Sequence, residues 1–180
     1  MLAPRPAPVL GPQLALALTL LALLGCDAPR ATPCPGDRVA TFRFQGALDE
    51  GGCPFRTPAV SFVGTLAYGA AGQAVLCVDR AEAAPLAGSR DGDRLSLASA
   101  SQAATVPDCA CPVQVTERVD GEVLRSDAGA AAGFAGVLEN AVAPTDGGTG
   151  AGCEPDGGAI DGGPHCGVPC TIRWQLTAGP

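Results

Sequence analysis

Apolar and polar side chains alternate with a period of two along several stretches of the chain. In the last stretch Ile172, Trp174 and Leu176 share one face, with Arg173 and Gln175 between them. Such alternation is typical of antiparallel strands that bury one face. Together with short runs rich in β-branched and aromatic residues, it predicts strands at 39–44, 60–68, 74–79, 95–99, 112–119, 134–138 and 171–176.

Turn residues separate these predicted strands, and no stretch has the period of an amphipathic helix. Turns that contain glycine are expected at Gly51–Gly52, Ala71–Gly72, Asp91–Asp93 and Asp120–Gly121. The sequence therefore predicts an all-β fold, an antiparallel sandwich or barrel of about seven to eight strands that is braced by disulfides.

The pattern Phe-x-Gly-x-Leu occurs three times, beginning at Phe44, Phe62 and Phe134. On a strand, the Phe, Gly and Leu of this pattern lie on one face, because side chains alternate between the two faces. The space above the glycine can accept an aromatic ring from the neighbouring strand. We therefore interpret the pattern as core architecture rather than as part of a ligand site.

The N-terminal part of the chain has a different composition. Every residue from Leu14 to Leu24 is Leu, Ala or Thr, and the ten residues at the start of the chain carry one basic side chain, Arg5. The run is shorter than the roughly 20 residues that cross a bilayer, but it fits the apolar region of a secretory signal peptide. It ends in Leu23-Leu24-Gly25-Cys26.

These four residues resemble the lipobox of bacterial lipoproteins. In that family a diacylglyceryl group is attached to the cysteine thiol, and lipoprotein signal peptidase cuts before the cysteine. The resemblance implies that Cys26 carries the lipid and that Leu23, Leu24 and Gly25 form the recognition site of the peptidase. An ordinary cleaved signal followed by a chance cysteine is the alternative.

The implied cleavage defines the organisation of the mature chain. Residues 1–25 would be the signal peptide, 26–38 the lipidated N-terminus and tether, and 39–180 a single β domain. A diacylglyceryl group supplies the two acyl chains that stable anchoring requires. We therefore expect an exported lipoprotein anchored in a membrane. The sequence does not distinguish the inner membrane, the outer membrane and the cell surface.

The mature chain is acidic. It has ten Arg against 18 Asp and Glu, a net charge of −8, and the sequence contains no Lys. A chain of this charge without a basic cluster has no electrostatic site for nucleic acid or for anionic lipid head groups. The expected partners are the membrane, reached through acyl chains on Cys26, and an envelope protein or glycan; nucleic acid is not expected.

Nine cysteines are present, and eight remain once Cys26 is assigned to the lipid. An even number in an exported chain predicts a disulfide framework, in which each bridge contributes about 2–4 kcal/mol. The connectivity stays open, although neighbours on one face of an extended segment, such as Cys109 and Cys111, are expected to have different partners. The disulfide candidates are Cys34, Cys53, Cys77, Cys109, Cys111, Cys153, Cys166 and Cys170.

The segment 145–164 is rich in Gly and Asp, and we expect a flexible loop there. Calcium loops need oxygen ligands at close and regular spacing. Asp146, Asp156 and Asp161 lack that spacing, so calcium is not expected.

A zinc site is the other metal alternative. His165, Cys166 and Cys170, with Cys153 upstream, are four residues of the ligand types that zinc prefers. Their spacing lacks a Cys-x₂-Cys pair, and an oxidising compartment favours disulfides. We therefore expect neither a metal nor another cofactor.

No catalytic signature is present in the sequence. His165 is the only histidine and lies in a Gly/Pro-rich segment, whereas a general base needs a fixed position. The chain has no Gly-x-Ser-x-Gly motif, and the acidic pair Asp49–Glu50 is expected in a turn. The leading hypothesis is therefore a non-catalytic binding or structural module with an unidentified ligand.

The Phe-x-Gly-x-Leu segments, residues 109–115 and residues 166–170 make the mature chain similar to small, cysteine-rich β lipoproteins of myxobacterial-type genomes. That resemblance implies no particular activity. Two alternatives stay open: an envelope hydrolase that uses carboxylates on a glycan, and a disulfide-rich protease inhibitor. A cleft lined by two acids would favour the hydrolase.

Overall fold

The computed structural model describes residues 34–80, 83–104, 112–145 and 167–180. The described residues form nine β-strands and a short 3-10 turn at Ala70–Gly72, so the predicted all-β class is confirmed. The strands are β1 (Asp37–Gly51), β2 (Ala59–Tyr68), β3 (Gln73–Val78), β4 (Leu86–Asp91), β5 (Arg94–Ala98), β6 (Gln102–Ala104), β7 (Val113–Arg125), β8 (Ala131–Pro144) and β9 (Cys170–Gly179).

The strands form one closed antiparallel sheet. Strands β1 to β5 pair in sequence order, and so do β7 to β9. Pairing of β9 with β1 and of β5 with β7 joins the two halves into a ring. The short β6 pairs with the beginning of β7, on the same side of β7 as β5. The two short strands therefore share one position in the ring. Of the two architectures predicted from the sequence, the structure has the barrel, with eight strand positions around its interior.

Apolar side chains at alternate positions fill the middle of the barrel. Phe42 and Phe44 of β1 are both buried, as their shared face in the sequence predicts. The ring of Phe44 lies near three other rings, with centroid distances of 5.9 Å to Phe42, 4.7 Å to Phe62 and 5.5 Å to Phe134. Aromatic rings at these separations attract each other beyond the effect of burial alone. The Phe rings therefore form the centre of the core.

The Phe-x-Gly-x-Leu segments contribute to this core. A Cβ atom on Gly64 would lie 3.3 Å from the Phe44 ring, so a ring from the neighbouring strand covers this glycine. Above Gly46, the side chains of Val60 and Leu176 occupy the corresponding space. Aromatic rings and aliphatic side chains thus both fill space that glycine leaves open.

The turn predicted at Asp120–Gly121 is wrong, because both residues lie inside β7. Gly121 pairs with Gly136 of β8. A Cβ atom on Gly136 would lie 2.7 Å from the Cα of Gly121 and would also collide with the carbonyl oxygen of Asp120. The absence of both side chains therefore permits a close approach of two strands.

Two short strands, β4 and β6, lie where the sequence predicted none. β4 has the sequence Leu-Ala-Gly-Ser-Arg-Asp, and β6 has the sequence Gln-Ala-Ala. Neither alternates large apolar with polar residues, so their pairing in the ring depends on neighbouring strands rather than on a local pattern. The pair Asp49–Glu50, expected in a turn, lies within β1.

Two disulfides brace the described barrel, as the predicted fold requires. Cys34–Cys77 joins the segment before β1 to β3, and Cys53–Cys170 joins the β1–β2 connection to the start of β9. The other four disulfide candidates lie outside the described residues: Cys109, Cys111, Cys153 and Cys166.

Candidate functional site

A cavity of about 440 Å³ lies at the end of the barrel where β2 and β4 begin and β3 ends. Residues of β2, β3, β4, β7 and β8 line it, together with Asp79 and Arg80, which follow β3. We call this space the mouth cavity.

The inner part of the mouth cavity is apolar. Leu86, Val119 and Leu138 are buried side chains that line it. Phe62 also lines the cavity and stacks on Phe44 of the core. The void within the Phe core has a volume of only about 10 Å³. The mouth cavity is therefore a cup above a filled interior.

Two polar side chains face each other inside this cup. Glu117 of β7 and Asn140 of β8 are directly opposite in the strand register, and both line the cavity. Residues in such a pair have Cβ atoms about 4.5–5.5 Å apart. The Oδ1 atom of Asn140 is buried and has no hydrogen-bond partner in the described part of the chain. A buried acceptor without a donor is costly, so the position suits a ligand that donates a hydrogen bond.

The backbone of Glu117 is held in place by Ser99. The Glu117 N–H donates to the Ser99 hydroxyl at 3.0 Å, and the Ser99 N–H donates to the Glu117 carbonyl oxygen at 2.8 Å. Ser99 is itself buried and follows the end of β5. These two bonds connect Ser99, in the segment that follows β5, to β7 beside the cavity. The side chain of Glu117 therefore projects from a fixed backbone.

Charged groups stand at the cavity beside these residues. The Nη2 atom of Arg80 lies 3.6 Å from Oε1 of Glu117, and their side chains are 62% and 19% exposed, respectively. Asp79 also lines the cavity, and its N–H donates to the Val63 carbonyl oxygen at 2.8 Å. In the described part of the chain, two acidic residues and one arginine thus line the cavity, a formal charge of −1.

The single tryptophan of the chain lies beside the mouth cavity. Trp174 of β9 is buried and pairs in register with Leu138, which lines the cavity. Its indole N–H donates to the Thr57 carbonyl oxygen at 3.0 Å. Trp174 does not itself line the cavity, but because an indole is sensitive to its surroundings we expect its emission to respond when a ligand contacts Leu138.

Polar side chains gather at the opposite end of the barrel. The Arg90 guanidinium lies 4.3 Å from the centre of the Tyr68 ring, and Arg125 forms a salt bridge with Asp93 at 2.6 Å. The hydrogen bond from Arg125 lowers the pKa of Asp93 below its ordinary value, and burial raises the pKa of Tyr68. We assign this cluster a structural role, because its charged groups join the ends of β2, β4 and β7.

Most of the site residues predicted from the sequence lie outside the described residues. Within the described ranges, no group of three or more His, Cys, Asp and Glu residues is placed to hold a metal ion. In the same ranges no helix has the length and apolar character needed to span a membrane. Outside these ranges lie Leu23, Leu24, Gly25 and Cys26 of the predicted lipobox, the candidates Cys109, Cys111, Cys153 and Cys166, the predicted flexible loop apart from Thr145, and the residues weighed for the unexpected metal sites: Asp146, Asp156, Asp161 and His165.

The polar residues of the mouth cavity were not singled out from the sequence. One signal for Glu117 does exist, because it occupies an apolar-face position in the alternation of Val113, Val115 and Val119. A charged residue on the inward face of a strand points to a site. Arg80 carries no comparable local signal.

No protein-family model matches the chain, and no curated protein or solved structure is significantly similar to it. The mouth cavity is therefore interpreted from its own geometry.

Proposed function

We propose that this chain is an exported, lipid-anchored envelope protein that binds a small apolar ligand in the mouth cavity without transforming it. The observation that carries the proposal is the cup of about 440 Å³ with an apolar inner surface and the Glu117–Asn140 pair within it. Small-molecule sites commonly have about 300–1,000 Å³, apolar walls and a few placed polar groups. Barrels of about eight strands are able to hold one small ligand.

The anchor in this proposal rests on the sequence at the start of the chain. The apolar run before Leu23-Leu24-Gly25-Cys26 supports export and lipidation. The disulfides Cys34–Cys77 and Cys53–Cys170 are consistent with an oxidising compartment.

Intact mass measurement of the protein from membranes tests the anchor. We expect a chain that begins at Cys26 and carries the mass of a diacylglyceryl group, because the lipobox directs both lipidation and cleavage. Cys26→Ser should leave the precursor uncut and unlipidated. A wild-type chain that retains residues 1–25, or one that begins at residue 26 without lipid, would contradict this part of the proposal.

Titration with 1-octanol tests the cavity. The mature chain with Cys26→Ser (residues 26–180), exported behind an ordinary cleavable signal peptide so that only the lipid and its thiol are missing, should bind one octanol, seen as saturable heat by calorimetry and as a change in Trp174 emission. Val60 is partly buried and lines the cavity, and Val60→Asn should weaken octanol binding about tenfold, because a polar side chain replaces apolar surface that the ligand would cover, a change of about 1.4 kcal/mol.

Leu124→Asn is the matched control for this titration. Leu124 is 48% exposed and belongs to the end of β7 that is remote from the cavity. The Leu124→Asn substitution should leave octanol binding unchanged. The absence of saturable binding by both calorimetry and emission in the parent Cys26→Ser chain, or an equal loss in both variants, would overturn the proposed site.

One observation favours a second candidate function. Asp79 and Glu117 line the same cavity, and glycan hydrolysis uses a pair of carboxylates. Release of reducing sugar ends from purified cell-wall glycan, abolished by Glu117→Gln, would establish the hydrolase instead of the binding module. No contact in the described ranges favours the protease-inhibitor alternative.

A further inference from the structure

We infer that the ligand of the mouth cavity carries a protonated amine beside its apolar part. This inference rests on the proposed function and specifies the chemical class of the ligand. It follows from the charge balance of the cavity, the position of its acceptors and the weak attachment of Arg80.

The charge balance favours a cation over an anion. Among the described residues that line the cavity, Asp79 and Glu117 are acidic and Arg80 is the one basic residue. A fatty acid would bring a third carboxylate close to these two, and like charges in a partly desolvated site repel each other. An ammonium group would instead balance the excess negative charge.

The acceptors lie where one ammonium group can reach both. Glu117 and Asn140 are directly opposite each other on adjacent strands, so their side chains start about 4.5–5.5 Å apart. An ammonium carries three hydrogen-bond donors and no acceptor. It can therefore satisfy the unpartnered Oδ1 of Asn140 while pairing with the Glu117 carboxylate.

Arg80 is placed to give way to such a ligand. Its distance of 3.6 Å from Glu117 exceeds the length of a good hydrogen bond, and its side chain is 62% exposed. An exposed ion pair of this kind contributes little stability. Arg80 therefore competes weakly with an incoming amine for Glu117.

Three probes of equal chain length and different charge test the inference. Octylamine, 1-octanol and octanoate are titrated at neutral pH, where the amine is protonated, into the mature chain with Cys26→Ser. Trp174 emission and calorimetry report binding. We expect octylamine to bind about tenfold more tightly than octanol, and octanoate to bind more weakly than octanol.

Charge variants separate a ligand contact from a structural role. Glu117→Gln should weaken octylamine binding about tenfold and octanol binding by much less, so that the preference for the amine is lost, whereas Arg80→Gln should strengthen octylamine binding. Glu122→Gln is the matched control, because Glu122 is exposed on the same strand and does not line the cavity. Loss of octylamine binding in both the Glu117 and Arg80 variants would contradict the inference that Arg80 competes with the amine for Glu117.

The outcomes distinguish this inference from the proposed function. Saturable octanol binding with no preference for octylamine would overturn the amine class and leave the apolar cavity intact. Failure of all three probes to bind would overturn both.

Discussion

Phe44→Ala is expected to lower the free energy of unfolding by about 3–5 kcal/mol, the range for truncation of a buried aromatic side chain. Phe44 is 1% exposed, and its ring lies within 5.9 Å of the rings of Phe42, Phe62 and Phe134. It also covers Gly64, which has no side chain to move into the space. The resulting cavity therefore stays open. Urea denaturation of residues 26–180 measures the loss.

Phe55→Ala is the matched control for this substitution. Phe55 lies in the connection between β1 and β2, where it is half-buried and apart from the ring cluster. The Phe55→Ala substitution should lower the free energy of unfolding by less than half as much as Phe44→Ala. Phe44→Leu, expected to cost about 1–2 kcal/mol, provides a second measurement if the alanine variant does not fold. A Phe44→Ala loss no larger than that of Phe55→Ala would contradict the central role of the ring cluster.

Removal of the Cys53–Cys170 bridge by a double alanine substitution should cost about 3–5 kcal/mol. The bridge joins residues 117 positions apart, and a closed loop of about 100 residues restricts the unfolded chain by roughly 4.7 kcal/mol in the chain-entropy account. Cys53 is also fully buried in the core, so the substitution removes packing. Urea denaturation without reductant measures the difference.

The Cys34→Ala, Cys77→Ala double variant is the comparison. This bridge has a separation of 43 residues, and the same account gives it a stabilisation smaller by about 1 kcal/mol. A larger loss from this variant than from the Cys53–Cys170 variant would show that loop length does not determine the order.

Local alternation predicted the strands that carry the core. Phe42 and Phe44 in β1, and Ile172, Trp174 and Leu176 in β9, share inward faces as their spacing predicts. A strand with one buried face needs this period, so the signal is strong even in one sequence.

Long-range pairing determined what the local pattern missed. Asp120–Gly121 has the sequence of a hairpin turn, yet β7 continues through it. The difference comes from Gly136, which lies opposite Gly121 and allows the strands to approach. A partner 15 positions later in the chain is invisible to a short sequence window.

The candidate site was predictable only in part. Glu117 interrupts an apolar face, which is visible in the sequence of β7. Its placement opposite Asn140 and beside Arg80 depends on the pairing of β7 with β8 and on the end of β3. Those relations follow from closure of the sheet, and no spacing along the chain encodes them.

Closure also has a consequence for self-association at high local concentration. Open sheet edges expose unpaired N–H and C=O groups that recruit strands from other molecules. Here β1 pairs with β9 and β5 pairs with β7, so each described strand other than β6 has a partner on both sides along at least part of its length. Among the described strands, β6 pairs with β7 alone and has only three residues, which is shorter than the six- or seven-residue segments that seed cross-β fibrils. In the proposed lipid-anchored form, crowded copies would thus find no long unpaired strand through which to join their sheets.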